Sequence, residues 1–509
     1  MTLNTKSLNY EDAIENATVY GVSKITSLDS LPKLSIVHKN TLYLKREDQQ
    51  PVFSFKCRGA FNKMSTLSPE TLQGGVIAAS AGNHAQGVAL SAQKLGCNAL
   101  IVMPTTTPQI KVQNVKNYGA DVVLYGDSYD EAYTHALQLS KEKGLTFIHP
   151  YDDPAVIAGQ GTIAKEILDQ LKEPIDYIFV AVGGGGLIAG IGTYIKAKHP
   201  ETKVIGVEPE NAACLTAALE AKERVTLDQV GIFADGVAVK QVGEEPFRVA
   251  QLVVDDMVTV TTDEICAGIK DIYDETRSIA EPAGALGLAG LKKYIKENAI
   301  QNKTIVTLNC GANINFDRLR HVSERAEIGE QKEALFAVTI PEEKGSFDRF
   351  CQLLGKRSIT EFNYRYTDSK EAHIFVGLEL TEGQTERTSL VNLLQNNHLS
   401  ALDLTDNEMA KLHTRYMVGG HSPTLKDERL FRVQFPERPG ALMGFLKGLG
   451  SQWNISLFHY RNHGAAFGRV LMGVQVPALE ILDFQSVLDQ SGMTCFDESD
   501  NPAYHLFLK

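Results

Sequence analysis

Between Thr41 and Asn309 short apolar runs alternate with segments of helical period, and this alternation restricts the fold more than any other feature of the chain. Gly75–Ser80, Ala99–Met103, Asp121–Tyr125, Tyr177–Val182, Lys203–Val207 and Thr304–Leu308 read as buried strands. His84–Leu95, Tyr129–Glu142 and Pro154–Leu171 read as the helices between them. Such a pattern builds βαβ units, so an α/β fold with a mostly parallel sheet and helices on both faces is predicted. Ligands of these folds bind beyond the carboxyl ends of the strands, which gives weight to whatever directly follows a strand.

Composition excludes several classes of protein. The 509 residues are 43% hydrophobic and 22% charged, an ordinary globular balance in a chain too long for one core. No apolar run is long enough to cross a bilayer. Met1–Asn16 carries Glu11, Asp12 and Glu15 and lacks an apolar signal core, so a cytoplasmic location is expected. A net charge of −12 without any basic block argues against nucleic acid and membrane surfaces as partners. Seven scattered cysteines without C-x-x-C spacing point to reduced thiols and to no zinc site.

Three stretches carry chemistry. In Ser54-Phe55-Lys56-Cys57-Arg58-Gly59-Ala60 a helical pattern begins, with Ser54 as its expected N-cap. Lys56 then falls in the first turn, where the helix dipole disfavours an ammonium and lowers its pKa. A partly neutral lysine attacks carbonyls; read alone, the same residue is an ordinary surface lysine. The second stretch, Ser80-Ala81-Gly82-Asn83-His84, follows a strand and opens a helix, as a carboxylate- or phosphate-binding turn does. It also approximates a nucleophile elbow around Ser80, although Ala78 replaces the first glycine and no Asp or His stands out as partner; a packing role suits His84 equally. The third, Gly183-Gly184-Gly185-Gly186-Leu187, removes every Cβ from a strand-to-helix turn, so that several amides can face one phosphate. Gly184-x-Gly186-x-x-Ala189 with Glu208 downstream also fits a dinucleotide-binding turn.

Together with Glu281-Pro282-Ala283-Gly284-Ala285, these stretches resemble in order and spacing the tryptophan-synthase-β-like, fold type II pyridoxal-phosphate enzymes. More narrowly, Tyr20 to Leu319 is similar to the threonine and serine dehydratases. The resemblance implies pyridoxal 5'-phosphate held by Lys56 as a Schiff base, with Asn83 against its phenolic oxygen. It implies the phosphate in a cup of Gly183, Gly184, Gly185, Gly186 and Leu187. The substrate carboxylate would lie on Ser80, Ala81, Gly82, Asn83 and His84. Opposite the ring nitrogen the family usually places a serine; the matching turn Asn309-Cys310-Gly311-Ala312-Asn313 places Cys310 there, a weak partner that leaves the nitrogen unprotonated. Some relatives bind a divalent metal after a Glu-Pro. Here Cys214 stands where the second carboxylate would be after Glu208-Pro209, so no metal site is expected.

Beyond a charged helical stretch, Arg318–Lys332, the chain repeats itself. Leu335–Glu342 matches Leu430–Glu437, Gly345-Ser346-Phe347 matches Gly440-Ala441-Leu442, and Phe362–Arg365 matches Phe458–Arg461. The first copy reads strand, helix, two strands, helix, strand over Leu335–Ile340, Gly345–Leu354, Ser358–Tyr366, His373–Leu380, Gln384–Asn396 and Ser400–Leu404. That order is a ferredoxin-like sandwich. The copies resemble the ACT-like regulatory domains of biosynthetic threonine dehydratases, which isoleucine inhibits and valine opposes; a dimerisation module is the effector-free alternative. The expected division is a catalytic domain over residues 1–319, a connector over 320–332, and regulatory domains over 333–407 and 428–509. Tyr364, Arg365, Tyr460 and Arg461 are the candidate effector contacts.

The resemblance implies dehydration and deamination of L-threonine to 2-oxobutanoate and ammonia, the first step of isoleucine biosynthesis, in a homotetramer. The alternatives are a serine dehydratase or racemase of the same fold, a nicotinamide-dependent oxidoreductase using the Gly184–Ala189 turn, and an amino-acid-sensing protein.

Overall fold

The computed structural model describes residues 9–343, 345–355, 357–365, 370–417, 419–420, 422, 425–436, 452–461, 467–490 and 493–508. The chain divides into two compact units, Met1–Gly329 and Glu330–Lys509.

In the first unit the βα alternation produces two sheets where one was predicted. Strands β1 (Leu28–Ser30), β2 (Thr41–Arg46), β7 (Tyr177–Ala181), β8 (Lys203–Pro209), β9 (Asp256–Val260) and β10 (Thr304–Asn309) form a six-stranded sheet of order β1-β2-β10-β7-β8-β9. It is parallel except for β1. Strands β3 (Val76–Ala79), β4 (Ala99–Met103), β5 (Asp121–Leu124) and β6 (Thr146–Phe147) form a separate parallel sheet, β5-β4-β3-β6. Periodicity identifies βα units but not which strands share an edge. Here β2 is captured by β10, residue for residue from Thr41 opposite Thr304 to Arg46 opposite Asn309, and so leaves β3 to found its own sheet.

Three helices pack close enough to touch backbone to backbone, and their contacts place Lys56. The helix Lys56–Ser65 lies against Asn83–Leu95 and Pro154–Gln170. A Cβ on Gly59 would lie 2.8 Å from the Val156 carbonyl oxygen, and one on Gly87 would lie 3.1 Å from the Lys56 carbonyl. The first approach requires glycine and the second leaves a side chain little room, so the backbone of Lys56 is clamped from one side and its helix from another.

Beneath that helix lies a wholly buried ion network. The Arg58 guanidinium binds Glu47 at 2.8 Å and Glu166 at 2.6 Å, and Lys45 Nζ reaches Glu166 at 2.7 Å. Burial alone would raise Glu47, but the Arg58 charge outweighs it and holds this carboxyl below the ordinary range. The network ties β2 and the helix after Asp153 to the helix that Lys56 begins.

The stretch expected as a connector is divided. Arg318–Gly329 is a helix of the first unit, burying Val322, Arg325, Ala326 and Ile328 and ion-pairing Arg325 with Asp263. It packs on the helix Thr262–Thr276, so its apolar stripe belongs to the first core.

The second unit is one antiparallel sheet. Its strands are β11 (Glu333–Pro341), β12 (Ile359–Arg365), β13 (Glu371–Glu379), β14 (Ser400–Asp403), β15 (Glu428–Pro436), β16 (Asn454–Arg461), β17 (Phe467–Gln475) and β18 (Thr494–Asp497). The order β14-β11-β13-β12-β16-β17-β15-β18 sets the two repeats edge to edge across β12 and β16. In the first repeat the helices are Ser346–Leu354 and Gly383–Asn396, as the ferredoxin-like reading requires. The matching Gly440-Ala441-Leu442 of the second repeat lies outside the described residues.

Arg58→Met should destabilise the first unit by about 3–5 kcal/mol, because Glu47 and Glu166 would remain buried with their main partner gone. The midpoint of guanidinium unfolding at fixed cofactor concentration measures it; an unchanged midpoint would show that the network does not hold the helix.

Candidate active site

The three stretches converge on one cavity, lined among others by Lys56, Asn83, Tyr151, Gly183–Leu187, Glu281 and Cys310. Lys56 is the first residue of its helix, and the N-cap is Phe55, not Ser54; the Ser54 hydroxyl accepts the Lys56 N–H at 3.4 Å from one position further back. Lys56 is half-buried because its side chain borders the cavity. Its Nζ donates to the Pro150 carbonyl at 3.2 Å and has no carboxylate partner among the described residues. Burial pulls the amine down to about 8, with the charge of Glu281 opposing it. The low value expected from the helix dipole therefore has desolvation as its main cause.

The glycine cup is strained and crowded at once. Gly185 caps the helix Gly186–Lys198 at φ +90°, a left-handed conformation that suits glycine. A Cβ on Gly184 would lie 2.2 Å from the Tyr151 ring, and one on Gly183 2.9 Å from Val237 Cα. The backbone N–H groups of Gly184 to Leu187 have no acceptor among the described residues, so the turn presents unspent donors to the cavity at a helix N-terminus. A phosphate fits these donors. Cys310 lines the same cavity and is buried; burial first, then Glu281, pushes its thiol far up, so it remains a neutral SH.

On the Ser80–His84 turn the residues separate. Ser80, Ala81, Gly82 and Asn83 are partly open. The His84 ring is buried, its Nε2 2.9 Å from the Ile148 carbonyl, and burial followed by the charge of Lys56 brings it down to about 3. His84 is therefore enclosed, and of this turn Asn83 lines the cavity. Glu208 does not face the glycine cup: its carboxylate accepts from the Leu215 and Thr216 N–H groups at 2.8 and 2.9 Å, capping the helix Cys214–Ala221. Among the described residues no cluster of three or more metal-ligating side chains occurs.

Glu281, Tyr151 and Asn313 were not singled out as site residues from the sequence. Glu281 is 4% exposed and accepts from Asn83 Nδ2 at 2.6 Å. The available signal was its place at the head of Glu281-Pro282-Ala283-Gly284-Ala285, one of the stretches that carry the resemblance; it precedes the helix Pro282–Glu297 and makes no side-chain cap for it.

The family model of pyridoxal-phosphate-dependent enzymes matches residues 21–311, and that of the C-terminal regulatory domain of threonine dehydratase matches 324–414 and 419–508. The biosynthetic L-threonine dehydratase of Burkholderia multivorans is 54% identical over 99% of both chains. The chain belongs to the pyridoxal-phosphate-dependent threonine dehydratases. Among the dehydratases, that of Escherichia coli is 53% identical over 98% of this chain and 97% of its own. The solved processed form of threonine deaminase isoform 2 from Solanum lycopersicum superposes with a TM-score of 0.62 at 53% identity, covering 63% of this chain and 88% of that one. The dehydratase family is pyridoxal-phosphate dependent, and the lysine, the unspent amides and the neutral thiol around the cavity fit that cofactor.

In the regulatory unit, Tyr364 and Tyr460 are buried. Tyr364 donates to Glu342 at 2.7 Å. Arg365 is ion-paired with Glu428 and donates to the Leu508 carbonyl at 2.6 Å. The side chain of Arg461 lies outside the described residues.

Because the neutral amine is the attacking form, apoenzyme should bind pyridoxal phosphate faster as pH rises through about 8, then level off. Stopped-flow absorbance reads this rate; a rate flat across that interval would show that the amine is not the titrating group.

Proposed function

We propose that the chain dehydrates and deaminates L-threonine to 2-oxobutanoate and ammonia, with isoleucine as its feedback inhibitor and valine opposing it, in a cytoplasmic homotetramer. The observation that carries the reading is Lys56 beside the glycine cup in one cavity, on a chain that shares both halves with biosynthetic threonine dehydratases. Bound there, pyridoxal phosphate supplies a conjugated, electron-withdrawing ring that acidifies the substrate Cα–H.

The chain's own groups do the rest. The amides of Gly184 to Leu187 and the dipole of the helix they begin hold the phosphate. The Ser80–Asn83 turn orients the threonine carboxylate, and Asn83 presents its amide to the phenolic oxygen. Burial brings the Lys56 amine down to about 8, so near neutral pH a far larger share of it is neutral than in an exposed lysine, and that neutral form can take the Cα proton. The neutral Cys310 thiol offers no negative charge to the ring nitrogen, which limits how far negative charge is drawn into the ring. That favours prompt loss of the β-hydroxyl over return of the proton to Cα. The serine-specific reading lacks support from the regulatory half, which matches threonine dehydratase.

Regulation is assigned to the second unit. Arg365 and Glu428 lock β12 of one repeat to the first strand of the other, so an effector that moves the seam moves both repeats. Tyr364 and Tyr460 support that seam from within the core, and Arg461 is the remaining candidate for direct contact.

Purified full-length protein should release 2-oxobutanoate and ammonia in equal amounts from threonine, inhibited by isoleucine. A chain ending at Gly329 keeps the whole first core, including the helix Arg318–Gly329. At equal cofactor occupancy it should retain turnover and lose isoleucine inhibition. A truncated enzyme still inhibited by isoleucine would place the effector site in the first unit; absence of threonine turnover by the intact chain would overturn the reading.

A further inference from the structure

Asn83 is held at both ends of its amide. Asn313 Nδ2 donates to the Val52 carbonyl at 2.8 Å and to Asn83 Oδ1 at 2.7 Å. Both Asn313 hydrogens are thus spent, and a backbone carbonyl, which can only accept, fixes which way that amide points. Asn83 must therefore turn its oxygen to Asn313 and its nitrogen to Glu281, whose Oε1 accepts at 2.6 Å. Direction runs along the whole chain from Val52 through Asn313 and Asn83 to Glu281, and it leaves one Nδ2 hydrogen of Asn83 uncommitted.

The Glu281 carboxylate is built into this place. It is 4% exposed, and a Cβ on Gly311 would lie 2.4 Å from its Oε1, so a glycine there is what admits it. Besides Asn83, the backbone amide of Asn313 favours its ionised form. The charged and titratable groups around it are Asp235, Lys111, Lys56 and Cys310. Glu281 makes no cap for the helix it precedes, so its burial is not explained by helix stability.

We propose that Glu281 is a positioning residue: by accepting from Asn83 it presents the free Nδ2 hydrogen of Asn83 as a donor to the cofactor's phenolic oxygen, stabilising that oxygen in its ionised form. This deepens the pyridoxal-phosphate reading and rests on it. A carboxylate polarises the amide more strongly than a neutral acceptor does, because donor and acceptor chains of one direction reinforce each other in a dry site. Burial, then the nearby Asp235, raises the Glu281 carboxyl to about 7, opposed by Asn83, Lys111 and the Asn313 N–H. An acid so raised is ionised above that pH and takes a proton below it, so the donor set on the phenolic oxygen weakens as pH falls.

The test uses the full-length holoenzyme and reads absorbance and cofactor affinity. Glu281→Gln replaces the charged acceptor of Asn83 with a neutral one, so the cofactor Kd should rise about tenfold, as expected when one hydrogen bond loses its charge assistance. The visible band of the ionised phenolic form should lose amplitude to the near-ultraviolet band. In wild type that band should fall as pH drops through about 7, and in Glu281→Gln it should not follow that transition. In an Asn83→Ala background Glu281→Gln should change neither quantity further. Unchanged spectrum and affinity in Glu281→Gln, or an effect that persists without Asn83, would overturn the proposal. Should Glu281→Gln not fold, Glu281→Asp, whose shorter side chain withdraws the carboxylate from Asn83, must produce the same spectral shift. A wild-type protein with no visible band would instead overturn the cofactor reading itself.

Discussion

The structure turns on burying one amine without a counter-charge. Around the helix Lys56–Ser65 the charges Lys45, Glu47, Arg58 and Glu166 are buried and all are paired. Lys56 is the exception, with only a carbonyl at hydrogen-bond distance among the described residues. Desolvation of a cation is expensive, and its cost appears here as a pKa lowered to about 8. The penalty is tolerable because the surrounding backbone cannot relax: Gly59 and Gly87 admit two neighbouring helices to van der Waals contact. The same helix that carries the reactive residue thus owes its position to charges and glycines that never touch a ligand.

Duplication in the second unit gives a different kind of constraint. The repeats share one hydrogen-bonded sheet, and each begins with a buried or ion-paired glutamate at the first position of its leading strand. Glu333 lies beside Arg415, and Glu428 is bound by Arg365. Gly377 and Gly473, one in each repeat, would carry a Cβ into the space around Glu333 and Glu428 respectively. Removal of Arg365 would leave the Glu428 carboxylate buried without its cation, so the pairing of repeats is specified electrostatically as well as by apolar packing, whereas Arg415 pairs Glu333 and Glu361, both of the first repeat.

Much of this was legible in residue order. Strand Ala99–Met103 follows from its short continuous apolar run, and the strand–helix–strand order of the first repeat from the alternation of strand and helix periods. The partition into two sheets was not legible, because edge pairing between β2 and β10 joins residues far apart in the chain. Lys56, Asn83 and the four glycines stood out by type and by place after a strand. Glu281 stands out only as the head of a stretch that carries the resemblance, because nothing local shows that its side chain turns toward Asn83 and makes no cap for the helix after it. The candidate effector tyrosines stand at matching positions of the two repeats, and their burial shows that such repetition also marks core positions.

Borohydride treatment of holoenzyme followed by peptide mass mapping tests the central claim most directly. The reduced bond between cofactor and protein should be found on Lys56 alone, and Lys56→Ala should carry no trapped cofactor. Trapping on any other lysine, or equal trapping by Lys56→Ala, would contradict the account.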